Sequence, residues 1–217
     1  MTAAAAAESS ATKGLLASTT IGDFETEMVF VTDVLEPVLD TFSAIASEQG
    51  IAFEVLVDDV DDLPGVFVAP KSFREATSNV LDNALKYAIL PKEGSPLDRN
   101  PSPKVRVRIF PHEEHDNSNI RGSGVTVLVE DNGPGVATDD QHLIFDRGFR
   151  SDKTSGEVEG RGIGLDISRA LLARMGGYLG LATPDDFDEN CPACDDRLDG
   201  AALKLQVTRK PVNKRSS

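Results

Sequence analysis

The stretch Phe73–Tyr87, FREATSNVLDNALKY, constrains this chain more than any other. At about 100° per residue, Phe73, Thr77, Val80, Leu81, Ala84, Leu85 and Ala88 fall on one side of a helix. Asn79, Asn83, Lys86 and Tyr87 fall on the other. Amide oxygens are hard donors suited to Mg2+, and a lysine one turn further on suits phosphate. A solvated amphipathic face explains the same pattern, so the helix alone leaves both readings open.

The segments around it supply the layers. Met28–Val31 reads as a short strand, followed by a helix N-capped at Asp33, with Pro37 in its first turn and a stop near Gly50. Ile51, Phe53, Val55 and Val57 alternate as a half-buried strand, and Val66–Val68 form another. Val105, Val107 and Ile109 alternate with Arg106 and Arg108; after a loop from Pro111 to Gly124, Val125, Val127 and Val129 alternate into Glu130-Asp131. A last helix starts near Gly162 with Ile163, Ile167, Ala170 and Leu171 on one face, and Gly176-Gly177 ends it. Strands at Tyr178–Ala182 and Leu203–Val207 close the pattern. Alternating strands predict a sheet with one covered and one more open face, and three helices on the covered side make a two-layer α/β sandwich.

Composition removes several classes of function. The chain has 217 residues and a formal charge of −14, which argues against general nucleic-acid binding. An anion site must therefore gather cations locally, and Lys86, Arg147, Arg150, Lys153 and Arg161 do cluster around the glycine motifs. No apolar run approaches the roughly 20 residues of a membrane span, so no membrane contact is expected. The Ala-rich start does not read as a secretory signal. Two cysteines, Cys191 and Cys194, exclude a disulfide framework and make an intracellular compartment the default.

Two glycine motifs carry chemistry. Asp131-Asn132-Gly133-Pro134-Gly135 is a tight turn at a strand end, where a carboxylate can accept a hydrogen bond from an exocyclic amine; adenine offers that donor, whereas guanine presents a carbonyl oxygen at the equivalent ring position. Gly160-Arg161-Gly162-Ile163-Gly164-Leu165 opens a helix, where clustered N–H groups and the helix dipole favour phosphate. Its G-x-G-x-G spacing is not a dinucleotide fingerprint. Each motif taken singly is equally a turn or a flexible loop.

In order, the Asn/Asn/Lys helix, Asp-x-Gly-x-Gly, Ile144-Phe145-Asp146-Arg147-Gly148-Phe149-Arg150 and G-x-G-x-G-Leu resemble the ATP-binding domain of sensor histidine kinases. This is a branch of the superfamily shared with gyrase, Hsp90 and MutL, and the resemblance covers about residues 28–208. It implies the Bergerat ATP-binding fold, a mixed, mostly antiparallel sheet with three helices on one face. One domain over about 24–210 is the economical reading of the pattern, with a disordered or linker segment at 1–23 and a basic tail at 211–217; the resemblance implies that it is an ATP-binding kinase domain with an ATP lid at about 137–161. The implied cofactors are ATP and Mg2+. Asn83 is the implied metal ligand, and Asn79 supports metal or phosphate. Lys86, Tyr87 and Arg150 contact phosphates, and Asp131 reads the adenine amine. Gly133 and Gly135 shape its pocket, Phe145 belongs to the lid box or packs in the core, and Gly160, Gly162 and Gly164 with Leu165 cradle phosphate.

The resemblance further implies transfer to a residue on a separate helical-hairpin phosphoacceptor domain of the full-length kinase, with a response regulator or other protein as substrate. Asn79, Lys86 and Arg150 are the implied catalytic residues. Hydrolytic members of the superfamily carry Glu at the position of Asn79, and an amide cannot serve as a general base. A serine/threonine kinase of the same fold and a nucleotide-sensing module remain alternatives. The chain departs from the family pattern at Gly148, where many members have a bulkier residue, and in the acidic insertion Asp185–Asp199 that carries the two cysteines. Those insertions and cysteines suggest a plastid sensor kinase of an alga or plant, placing the domain in cytoplasm or plastid stroma. His112-Glu113-Glu114-His115 reads as a solvated loop, not a metal site.

Overall fold

The structure, a computed structural model, describes residues 25–58, 63–92, 94–112, 123–151, 162–182 and 197–210. Chain order is β1 (Glu27–Val29), α1 (Val31–Gln49), β2 (Ala52–Val57), β3 (Val66–Val68), α2 (Pro70–Ala88), β4 (Lys104–His112), β5 (Gly124–Asp131), α3 (Gly164–Arg174), β6 (Tyr178–Leu181) and β7 (Ala202–Thr208). Five strands form one sheet in the order β2-β4-β5-β7-β6, and β1 pairs with β3 in a separate two-stranded sheet. Only β2 and β4 run parallel in the larger sheet, and α2 lies in the crossover between them. The remaining pairs are antiparallel. This is the expected two-layer sandwich.

The covered face is set by strand alternation. Val105, Val107 and Ile109 of β4 lie opposite Asp131, Val129 and Val127 of β5, and Val129, Val127 and Val125 in turn face Leu203, Leu205 and Val207 of β7. Against this row pack Leu35 of α1, Phe73, Val80 and Leu81 of α2, and Leu172 of α3, all fully buried. Proline at its first residue opens α2 without losing a hydrogen bond, and the buried Thr77 hydroxyl donates to the Phe73 carbonyl at 2.9 Å.

Several boundaries differ from the sequence reading. β1 ends at Val29, and α1 begins at Val31 after Phe30, whose side chain makes no cap; Asp33 therefore lies in the first turn and Pro37 inside the helix. Gly50 does end it, at φ 71°. Pro111 and His112 belong to β4, where His112 Nδ1 lies 3.0 Å from Thr126 Oγ1, so His112 is a strand residue and not part of a polar loop.

The second sheet face is not open. Arg106, Arg108, Thr126, Glu130, Lys204 and Gln206 are all buried there. Their polar groups meet across strands. Arg106 Nε donates to Glu54 Oε2 at 2.7 Å, and Arg108 Nε donates to Glu130 Oε2 at 2.8 Å. The hydrogen bond from Arg106, then that from Lys104, holds the Glu54 carboxyl below its usual range. Alternation cannot separate a charged face that is wet from one whose charges are paired.

α3 also turns a different side inward. Ile167 and Ala170 are exposed, while Ser168, Leu172 and Met175 are buried. The sequence reading placed Ile163, Ile167, Ala170 and Leu171 on the inner face and did not single out Ser168, because nothing local shows that α2 supplies its hydrogen-bond partners.

Candidate functional site

α2, the end of β5, the segment 134–151 and the start of α3 enclose a cavity of about 550 Å3. That size is within the range of small-molecule sites. The sequence reading placed Asn79, Asn83, Lys86, Tyr87, Asp131, Gly135, Arg150, Gly162, Gly164 and Leu165 together, and all ten line it. Gly133 and Phe145 do not. Gly160 lies outside the described residues, as do Lys153, Arg161, His115, Cys191, Cys194, residues 1–24 and 211–217, and the 152–161 part of the expected lid.

Asp131 forms one end. It is 5% exposed, and its Oδ1 accepts from the Gly133 N–H at 2.9 Å and the Ala201 N–H at 3.3 Å. Burial pushes its carboxyl up to about 6, against the pull of those two N–H groups and with a push from the neighbouring Glu130. Oδ2 takes neither bond. Gly133 serves this end from behind: a Cβ there would run into the Tyr87 carbonyl, so the turn packs bare backbone on α2. Asn132 is a fastener; its Oδ1 accepts from Lys104 N at 2.7 Å and its Nδ2 donates to Ser102 O at 2.8 Å.

The α2 stripe forms the wall. Lys86 Nζ lies 2.5 Å from Asp82 Oδ2 one turn earlier, so engaging an anion draws the ammonium off a carboxylate that also lines the cavity. Asn79 Nδ2 donates to Ser168 Oγ at 3.2 Å and Gly164 O at 3.4 Å. Among the described residues no group of three or more His, Cys, Asp and Glu could hold a metal. Two amide oxygens instead suit Mg2+, which keeps most of its waters and takes its other ligands from phosphates.

The stretch Ile144–Arg150 divides between core and wall. Phe145 is buried, with the Arg169 guanidinium 4.6 Å from its ring centre, and acts in packing; Ile144 and Phe149 reach the cavity. Gly148 N–H donates to Gly162 O at 2.8 Å, with Gly148 at φ 81°. This accounts for a glycine where a bulkier residue was expected. A Cβ on Gly162 would come within 2.5 Å of the Phe149 carbonyl, so Gly162 and the Gly148–Phe149 backbone meet directly.

Sequence reasoning missed three participants. Asp82 was legible as an i,i+4 partner of Lys86. Lys92, which lines the cavity and pairs with Asp199, and Ala201, which holds Asp131, carry no local signal.

Residues 69–202 match the model of the histidine kinase-, DNA gyrase B-, and HSP90-like ATPase family. The chloroplast sensor kinase of Phaeodactylum tricornutum is 47% identical over 135 residues, covering 62% of this chain and 22% of that protein. The sensor histidine kinase Hik2 of Synechocystis is 30% identical over 161 residues, covering 73% of this chain and 33% of that protein. The chain thus spans a third or less of these curated relatives. Among solved structures, the mycobacterial sensor histidine kinase MprB aligns with a TM-score of 0.58 at 27% identity, over 86% of this chain and 99% of that one. The catalytic domain of the histidine kinase ThkA aligns at 0.59 with 16% identity, over 86% of this chain and 99% of that one, a likeness of fold.

Proposed function

Because the chain belongs to the histidine kinase-, DNA gyrase B-, and HSP90-like ATPase family, we propose that it is the catalytic ATP-binding domain of a sensor histidine kinase. It holds Mg–ATP and presents the γ-phosphoryl to a residue on a separate helical-hairpin domain. The observation that carries this is one cavity with unlike ends: a buried carboxylate, Asp131, and a wall of Asn79, Asn83 and Lys86.

In this reading Asp131 accepts from the adenine amine through the oxygen that Gly133 and Ala201 leave unused. Asn83 and the Asn79 oxygen hold the metal. Lys86, Tyr87 and Arg150 neutralise phosphate charge, and the N–H groups around Gly162 and Gly164 cradle it. Bound Mg–ATP supplies the phosphoryl group; the chain contributes position and charge, as phosphoryl transfer requires. An amide at residue 79 does not activate water, and the Gly164 carbonyl beside it would repel a carboxylate there. The domain spans about 24–210, with the lid over 137–161.

The partners in this reading are a phosphoacceptor hairpin of the same kinase, then a response regulator or other protein. Likeness to a chloroplast sensor kinase supports the plastid stroma. No helix among the described residues is long and apolar enough to cross a membrane.

The test uses the chain with a histidine-bearing hairpin supplied in trans. Calorimetry should find Mg–ATP bound in preference to Mg–GTP, steady-state hydrolysis near background, and acid-labile phosphate on the hairpin. Hydrolysis that disappears in Asn79→Ala would contradict the transfer reading, and acid-stable phosphate would make the chain a serine/threonine kinase. Absence of ATP binding would overturn the proposal entirely.

A further inference from the structure

We infer that Ser168 is a positioning residue for the cation side of the cavity: it decides which atom of the Asn79 amide faces the ligand. This rests on the Mg–ATP reading and adds a residue to it. Ser168 lies on the inner face of α3 at 0% exposure. Its Oγ is 2.8 Å from Gly164 O, 3.2 Å from Ala76 O and 3.2 Å from Asn79 Nδ2.

A hydroxyl has one proton and two lone pairs. Both carbonyls accept only, so the hydroxyl proton goes to one of them and a lone pair is left for Asn79. Gly164 O, 3.4 Å from Nδ2, is a second acceptor on the same side. Among the described residues both of these contacts are bonds that Asn79 donates. The amide nitrogen is therefore drawn to α3, and the planar geometry turns Oδ1 away from α3, toward the cavity that Asn79 lines.

An amide turned the other way would aim N–H at a cation and set its oxygen against the Gly164 carbonyl. The Ser168 hydroxyl makes the useful orientation the favoured one. It also ties the first turn of α3, which carries Gly164 and Leu165, to the middle of α2.

The experiment is calorimetric titration with ATP, in excess Mg2+ and in EDTA, of wild type, Ser168→Ala, Asn79→Ala and the double variant. Loss of one hydrogen bond that orients a ligand group predicts Mg–ATP binding weaker by about 3- to 10-fold in Ser168→Ala. The loss should be confined to the Mg2+ arm and absent when Ser168→Ala is added to Asn79→Ala. Ser168→Thr, which keeps the hydroxyl, should bind like wild type. An equal loss in EDTA, or one that persists in the Asn79→Ala background, would show that Ser168 only packs the helices, and overturns the inference.

If Ser168→Ala does not fold, the wild-type chain still decides. The Asn79 side-chain NH2 should exchange slowly with solvent, both in the free chain and with Mg–ATP bound. Exchange as fast as at an exposed asparagine would refute the orientation. A wild-type chain that binds no ATP with or without Mg2+ sinks the nucleotide reading itself; normal wild-type binding that ignores Mg2+, or an indifferent Ser168→Ala, sinks only this inference.

Discussion

Asp131→Asn is expected to weaken ATP binding by about 30- to 300-fold, the loss of a charge-assisted hydrogen bond in a desolvated site plus the cost of leaving a donor unmet. Asparagine keeps the shape and lets one oxygen continue to accept from Gly133 and Ala201. Its NH2 then meets the adenine amine donor to donor, while a guanine carbonyl would be welcomed. Calorimetry with both nucleotides should therefore find the preference for ATP over GTP narrowed or reversed. Unchanged ATP affinity would remove Asp131 from base recognition.

The same variant predicts a pH signature. The Asp131 carboxyl rises from 3.8 to about 6 on folding, so the folded chain holds its proton more tightly than the unfolded one. The stability this provides is complete below about pH 4 and is lost as pH rises through about 6, on the order of 3 kcal/mol for a shift of this size. Urea unfolding across pH 4–7 should show this slope in wild type and a flatter one in Asp131→Asn. Binding of adenine favours the carboxylate, so ATP affinity should increase from pH 5 to 7 with release of a proton, and the variant should lack that dependence.

Glu130→Ala carries the largest expected cost in stability. Glu130 is fully buried, Arg108 is 2% exposed, and the pair meets at 2.8 Å on the second sheet face. Removing the carboxylate breaks this buried ion pair, which costs about 3–5 kcal/mol in urea unfolding. The double variant Arg108→Met with Glu130→Leu replaces both charges by apolar groups and should recover most of that loss. A double variant no better than the single would mean that Glu130 acts by another route, such as its bond from Leu198 N–H at 3.2 Å. Glu130→Ala should also weaken ATP binding. Leu198 leads into Gly200 and Ala201, whose N–H groups hold the Asp131 carbonyl and carboxylate.

Most of the fold was legible because it is periodic. The α2 stripe, the β4 and β5 alternation and the two-layer class all follow from 3.6- and 2-residue repeats. The misreadings fell where a polar residue is satisfied by something remote. Ser168 was not singled out in the sequence and is the most buried polar group of α3. Arg106 and Arg108 looked solvated and are paired across strands.

By itself the sequence determined the helix that carries Asn79, Asn83 and Lys86, the turn after Asp131 and the glycines opening α3. Each is a local choice of period, turn or missing side chain. Tertiary structure alone decided how those pieces work together. Ala201 holds Asp131 from 70 residues away, and Ser168 orients Asn79 across 89. Such contacts come from β5–β7 register, with Glu130 opposite Ala202, and from the rotation of α3 on α2. No local pattern encodes either one, because each is set by the packing of the whole core.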